Sequence, residues 1–381
     1  MELITQRVPA TRMPWRQLGV LALIAILLVA ALAVYVGSQP RLPAPFGIAA
    51  NGIIAYVRDG KLVTQRPDGS GLVTIRPAST GQQAASFSRD GSKIVYKDLF
   101  SGSVVTSSGT VSDIVVANAD GSDTRTVAKA VVAGNPIWSP DGRWLSYSGL
   151  ADHVFVVASD GSQPPIDIGN FGGGAWTPSW SPNSRQLAVA AGDGQVAGLW
   201  LVNRDGTSPR RLTVDDYAEL GEKGWSADWS NDGTRLLFGA AKPGDENDGL
   251  YMVGLDGAKE RLVFPCANDG VWSPDGNSFA FMHCGVGVGP SIVIADATGN
   301  ERRTLPGYYG WYMPAWSPDQ TRIAILDDRP GLANEAGPPT IVLLDPSGKA
   351  PAVSIPAGDS TLTEDQSPDY TLTWQRLAPS S

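Results

Sequence analysis

Residues Val271–Met282 read VWSPDGNSFAFM. A Trp precedes a Ser-Pro-Asp-Gly tetrad, and an apolar run follows it. The proline ring fixes φ for the second position of a tight turn, and glycine supplies the positive φ that ends it. The apolar run after the turn reads as a strand, so the phrase encodes one hairpin. The Trp ahead of the turn is large enough to act as a wedge between adjacent sheets.

The phrase recurs as SFSRDGSKIVYK from Ser86, IWSPDGRWLSYS from Ile137, SWSPNSRQLAVA from Ser179, DWSNDGTRLLFG from Asp228 and AWSPDQTRIAIL from Ala315. The aromatic positions are Phe87, Trp138, Trp180, Trp229, Trp272 and Trp316. A period of roughly 40–50 residues built of strand-like units is the signature of a propeller. A second phrase follows each first one, as in VFVVASDGSQ from Val154 and LWLVNRDGTS from Leu199. It is a strand entering an Asp-Gly type hairpin and then a further strand. Four strands make one blade. At the ends, IIAYVRDGKLVTQRPDGSG from Ile53 carries three strands without a Trp strand, and LTWQRL from Leu372 is a lone Trp strand. Joined, they supply a further blade and close the ring, removing the edges that a linear array would expose. The expected fold is all-β: a seven-bladed propeller of four-stranded antiparallel blades, closed by pairing of its terminal strands and preceded by one transmembrane helix. Arg89, Asn183 with Ser184, Asn231 and Gln320 depart from the turn consensus and are expected to weaken single turns.

These phrases, WSPDG followed by an apolar strand and then by a strand ending in Asp-Gly, resemble those of the TolB-like, WD40-like (PD40) β-propellers across residues 50 to 378. The resemblance implies the fold. For function it implies only a range: scaffolds, peptide or glycan binders, sensor domains and lids on peptidases.

The 381 residues carry a net charge of −9, which argues against a nucleic-acid partner. The N-terminus has a different character. Leu18–Val36 is uncharged and long enough to cross most of a bilayer core, and Arg7, Arg12 and Arg16 precede it against Glu2 alone. We therefore expect a cytoplasmic flank over 1–17, a transmembrane helix or signal peptide over 18–36, a Pro-rich linker over 37–48 and the propeller over 49–378. A signal peptide would be cut near Ala31-Leu32-Ala33. Either reading places the propeller outside the cytoplasm, periplasmic or extracellular: membrane-anchored, or secreted if the segment is cleaved.

The tight turns between first and second strands and between third and fourth strands share one face of the ring. The longer connections, such as GAAKPGDENDG from Gly239 and DDRPGLANEAGPP from Asp327, share the other. Long loops on a rigid scaffold are where binding usually sits, so that face and the channel mouth are the expected site. Trp176, Trp225, Tyr308, Tyr309, Trp311 and Tyr312 stand just ahead of first strands, and Asp327 and Asp328 open a long loop. Clustered Trp and Tyr present flat apolar faces with polar tips, which suits a protein, peptide or glycan ligand. The same rings also suit packing beneath their own loops.

A non-catalytic binding scaffold is the expected function. The alternatives are a propeller enzyme, a glycan lyase or hydrolase drawing on Asp193, Asp216, Glu219, Asp327 or Asp328, and a sensor serving a signalling or secretion complex. Asp245 to Asp248 lack the spacing of a calcium loop, because Gly249 arrives one residue early. Only His153 and His283 are present, there is no G-x-S-x-G elbow, and no metal or cofactor is expected. Cys266 and Cys284 each lie nine residues from Asp275. A hairpin symmetric about that residue sets them opposite each other, and we expect them to form a disulfide.

Overall fold

The structure is a computed structural model. It describes residues 47–378 apart from 59–60, 77–84, 99–104, 107–108, 133–134, 150–152, 172–177, 193–196, 218–226, 242–248, 257, 285–289, 306–312, 328–339 and 358–371. The chain divides into units 1–41 and 42–381, and every described residue belongs to the second. The expected flank and membrane-crossing segment lie outside the described residues. Among the described residues, no helix is long and apolar enough to cross a membrane.

Seven antiparallel sheets follow one another along the chain. Blade 1 is composite. Its first strand is Thr373–Leu377, which pairs with Ala50–Arg58, then Lys61–Gln65 and Val73–Arg76. Ile54 is opposite Trp374 and Ala50 is opposite Leu377. Blade 2 begins at Ala85–Phe87, blade 3 at Ile137–Trp138, blade 4 at Ser179–Trp180, blade 5 at Asp228–Trp229, blade 6 at Ala267–Trp272 and blade 7 at Ala315–Trp316. Blade 2 carries an additional short strand, Val105–Thr106.

The repeated phrase works through two hydrogen-bond systems. The first is the Ser after the aromatic residue. Ser88, Ser139, Ser181, Ser230, Ser273 and Ser317 are all buried. Each hydroxyl donates to the turn carboxylate or amide two residues on, from 2.6 Å for Ser139 to Asp141 up to 2.9 Å for Ser181 to Asn183. Each also accepts the backbone N–H five residues on, at 2.9–3.1 Å. One small side chain thereby ties both arms of the hairpin, and its burial goes uncompensated only if a partner is lost.

The second system runs between blades. The indole Nε1 of Trp138 donates to the Ser86 carbonyl of the preceding blade. Trp180 reaches Ile137, Trp229 reaches Ser179, Trp272 reaches Asp228, Trp316 reaches Val271 and Trp374 reaches Ala315, all at 3.2–3.3 Å. In every case the acceptor is the residue just before the neighbouring blade's aromatic. Phe87 has no indole, and at that one junction its backbone N–H reaches Thr373 Oγ1 at 3.4 Å instead. Around these bonds lie seven apolar clusters, each filled mainly by two neighbouring blades. Tyr56, Val63 and Trp374 pack with Leu326, Ile341 and Leu343 between blades 1 and 7. Ala55 and Leu62 pack with Phe87, Ile94 and Tyr96 between blades 1 and 2.

Several of the turn departures link blades. Asn231 Nδ2 donates to the Ser273 and Pro274 carbonyls of blade 6. Ser184 Oγ accepts the Asp141 N–H of blade 3 at 3.0 Å, and Gln320 bonds the Asp275 carboxylate. In exchange, Ser184 and Gln320 adopt the positive φ that glycine takes in the other turns. Gly91 shows why glycine is needed where the ends of the chain meet. A Cβ there would collide with the backbone carbonyl of Arg376.

Cys266 and Cys284 are joined by a disulfide with their Cα atoms 5.5 Å apart. The register that sets them opposite depends on an irregularity. Near the turn Trp272 pairs with Phe279 and Val271 with Ala280, a frame in which Cys266 would face residue 285. An extra residue between Asn268 and Val271 shifts the frame, so that Ala267 pairs with His283 and Cys284 donates its N–H to the Cys266 carbonyl at 2.9 Å. Cys266 and Asp269 take left-handed φ values of 51° and 55° at this bulge. The Asp269 side chain is buried there, and its Oδ1 has no hydrogen-bond partner among the described residues.

Candidate functional site at the channel mouth

A cavity of about 190 Å³ opens among the first strands of blades 2, 3, 4 and 5. Pro140 and Pro182, from first-to-second-strand turns, form part of its rim, so it opens on the tight-turn face. Trp138, Trp180 and Trp229 stand at the inner strands behind that rim, and Phe87 takes the corresponding place in blade 2. The same aromatic residues that wedge the blades apart therefore also line the hole between them.

Two charged groups converge on this apolar surface. Arg89 occupies the turn position that holds proline in four other copies and Asn231 in the fifth, and Asp228 immediately precedes Trp229. Both residues are half-buried. Burial pushes the Asp228 carboxyl up to about 6, opposed by the Trp272 N–H, which it accepts at 2.9 Å, and by the charge of Arg89. Burial also draws the Arg89 guanidinium down from its ordinary value, and Asp228 pushes it back. Close by, Arg376 is buried and donates from Nη2 to the Gly47 carbonyl at 2.7 Å. Burial and the like charge of Arg89 bring Arg376 down to about 10. A cavity of mixed lining, with aromatic and proline side chains beside an opposite charge pair, can serve as a ligand site. Asp228 is the single carboxylate among its lining residues, so the carboxylate pair that a glycosidase requires has no counterpart in this cavity.

The structure does not describe the aromatic residues expected to bind ligand. Trp176, Trp225, Tyr308, Tyr309, Trp311, Tyr312 and Asp328 fall outside the described residues, as do Asp193, Glu219 and the run Asp245 to Asp248. Asp327 ends the strand Ile323–Asp327, with its backbone opposite Thr340. Asp216 pairs with Arg211 at 2.6 Å. His153 Nδ1 lies 2.8 Å from Asp167 Oδ2 at the rim of blade 3. No group of three or more His, Cys, Asp or Glu side chains suited to a metal ion occurs among the described residues. Arg89 and Asp228 were not among the expected site residues. Their signal lies in the repeat itself: a charge stands at each position where the other copies place proline or a neutral residue.

The TolB beta propeller domain, PD40, matches residues 102–333, more than half of the chain. The protein belongs to this family. A curated relative, an uncharacterized protein of Agrobacterium fabrum, is 27% identical over 161 residues, 38% of this chain and 53% of the relative. The chain thus spans about half the length of that relative. Among solved structures, TolB from Acinetobacter baumannii superposes with a TM-score of 0.51 at 14% identity, over 87% of this chain and 81% of that one. A puromycin-hydrolyzing peptidase of Mycobacterium tuberculosis superposes with a TM-score of 0.58 at 13% identity, over 85% of this chain and 58% of that one. At such identities the likeness concerns the fold. The PD40 phrase thus accounts for the scaffold.

Proposed function

We propose that this PD40 propeller is a non-catalytic binding scaffold that takes a protein or peptide segment at the tight-turn mouth of its channel. The observation that carries the reading is the cavity itself, where rings from three Trp strands surround Arg89 and Asp228. The opposite charges of Arg89 and Asp228 favour a ligand with its own polar ends or charged side chains. We extend the proposal to an extracytoplasmic propeller tethered through Leu18–Val36, supported by that run of uncharged residues and by the Cys266–Cys284 disulfide, a bond that persists in oxidising compartments. We also infer that the composite blade 1 holds the ring shut.

Selection from a displayed random-peptide library, alongside a glycan array, tests the binding reading. Peptides enriched on the parent protein should lose at least about tenfold in affinity on Arg89→Glu, the scale of about 1.4 kcal/mol for one interaction of this kind. Trp311→Ala should leave them unchanged. The reverse pattern would move the site to the long-loop face. Enrichment of neither peptides nor glycans would overturn the scaffold reading.

A further inference from the structure

The seam between blades 1 and 2 differs from its counterparts around the ring. In blades 1, 2 and 5 the fourth strand opens against the third in one register: Val73 is opposite Thr64, Arg125 opposite Val116 and Arg261 opposite Met252. Two residues on, Ile75, Val127 and Val263 lie against the turn glycine of the next blade, Gly121, Gly161 and Gly299. Val73, Arg125 and Arg261 are therefore equivalent positions. Arg125 donates from Nη1 to the Asp160 carbonyl of blade 3, and Arg261 donates from Nη2 to the Thr298 carbonyl of blade 6. In both cases the acceptor is the residue just before the turn glycine. Arg303 makes a related bridge from blade 6 to the Pro346 carbonyl of blade 7 at 2.8 Å. Between blades 3 and 4 the Arg204 guanidinium sits over the Trp144 ring, 4.4 Å from its centroid. An arginine thus closes each of these seams.

Blade 1 has valine at that position, and Val73 is 52% exposed. A cavity of about 220 Å³ opens there, lined by Ile53, Thr64, Val73 and Ile75 of blade 1 and by Asp120 of blade 2. Arg66 also lines it, but its Nη1 is turned to Ser70 Oγ of its own hairpin at 3.3 Å. Asp120 holds the place in blade 2 that Asp160 holds in blade 3. Bonds from Ser162, and then the charge of Arg125, hold the Asp160 carboxyl below its ordinary value. Asp120 is held down by bonds from Ser122, with no arginine contributing. Leu72, beside Val73, and Val353, on the fourth strand of blade 7, are also exposed, so two neighbouring blades present apolar surface here. An arginine side chain suits such a place, because its stem covers apolar surface while its fork bonds carbonyl or carboxylate oxygens. The net charge of −9 favours a cationic partner. We propose that the seam between blades 1 and 2 receives an arginine side chain from a partner peptide, with its stem over Val73 and Ile75 and its guanidinium at Asp120. The partner's arginine takes the place that the chain's own arginines fill in the other seams. This site is separate from the channel mouth and does not rest on the reading of that mouth.

The test selects a displayed random-peptide library on the full chain carrying Arg89→Glu, which disables the mouth. Val73→Arg in the same background supplies the seam with an arginine of its own. Because position 73 is exposed, this variant should fold, and a melting temperature no lower than that of its background verifies it. Peptides enriched on the first protein are expected to carry arginine and to bind the Val73→Arg protein at least about tenfold more weakly. They should lose as much when their arginine is replaced by citrulline, which keeps the shape without the charge. No enrichment, enrichment of peptides without arginine, or equal binding to both proteins overturns the proposal. Self-association of the parent that Val73→Arg dissolves would assign the surface to a second copy of the chain and overturns it as well. Since the mouth is disabled throughout, failure here is distinct from failure of the reading of the mouth.

Discussion

Replacing Asp269 by Asn is expected to stabilise the protein at pH 8 by about 2–4 kcal/mol. The carboxyl is buried at the blade 6 bulge, with Oδ1 unpartnered among the described residues. Burial pushes its titration up to about 7, from an ordinary value of 3.8. The folded state therefore binds the proton more tightly than the unfolded state. The penalty is absent below about pH 4, grows as pH rises towards 7 and is complete above it, reaching about 4 kcal/mol for a shift of this size. Asn keeps the shape and carries no charge to desolvate. Urea unfolding of both proteins from pH 4 to pH 8 should show the parent losing stability with rising pH relative to the variant. Profiles that run parallel throughout would remove Asp269 from the account. The extra residue at this bulge is what sets Cys266 opposite Cys284.

Deleting residues 372–381 is expected to have the largest effect of any small change. Trp374 is buried and belongs to the cluster between blades 1 and 7, and its loss alone costs about 3–5 kcal/mol. The deletion also removes the ladder between Thr373–Leu377 and Ala50–Arg58, and it takes away the Gln375 Nε2 bond to the Gly91 carbonyl of blade 2 at 2.9 Å. Domains of this kind are stable by about 5–15 kcal/mol in total, so the shortened chain should be largely unfolded or aggregated at 25 °C. Circular dichroism with size-exclusion chromatography reads the outcome. A monomer with an unchanged melting temperature would show that the last strand is dispensable.

Much of this architecture is legible in the sequence, and for a physical reason. A turn consensus and an aromatic wedge are local chemistry, and six copies of each leave little freedom in how blades form. The Ser after the aromatic residue shows a limit of pattern reading: it stands in all six copies, yet its role appears only once its hydroxyl is seen between Asp(i+2) and the N–H of residue i+5. The disulfide shows another. A hairpin symmetric about Asp275 pairs the two cysteines, but the actual turn is centred between Asp275 and Gly276, and the Asp269 bulge makes up the difference. A bulge has no consensus, so it could not be read in advance. The site is less legible still. Arg89 and Asp228 come from blades 2 and 5 and meet only because the ring bends the chain back on itself. Loop length points to the opposite face, whose candidate residues, Asp327 apart, lie outside the described residues.

The central claim is that the two ends of the propeller lie in one sheet and hold seven blades in a circle. The most direct measurement is a disulfide between Ala50→Cys and Leu377→Cys, which are partners in the ladder of blade 1. The account predicts that this bond forms readily in the native protein under air oxidation, gives a faster-migrating species on a non-reducing gel and raises the melting temperature. Failure of the two cysteines to pair while the protein remains folded would contradict it.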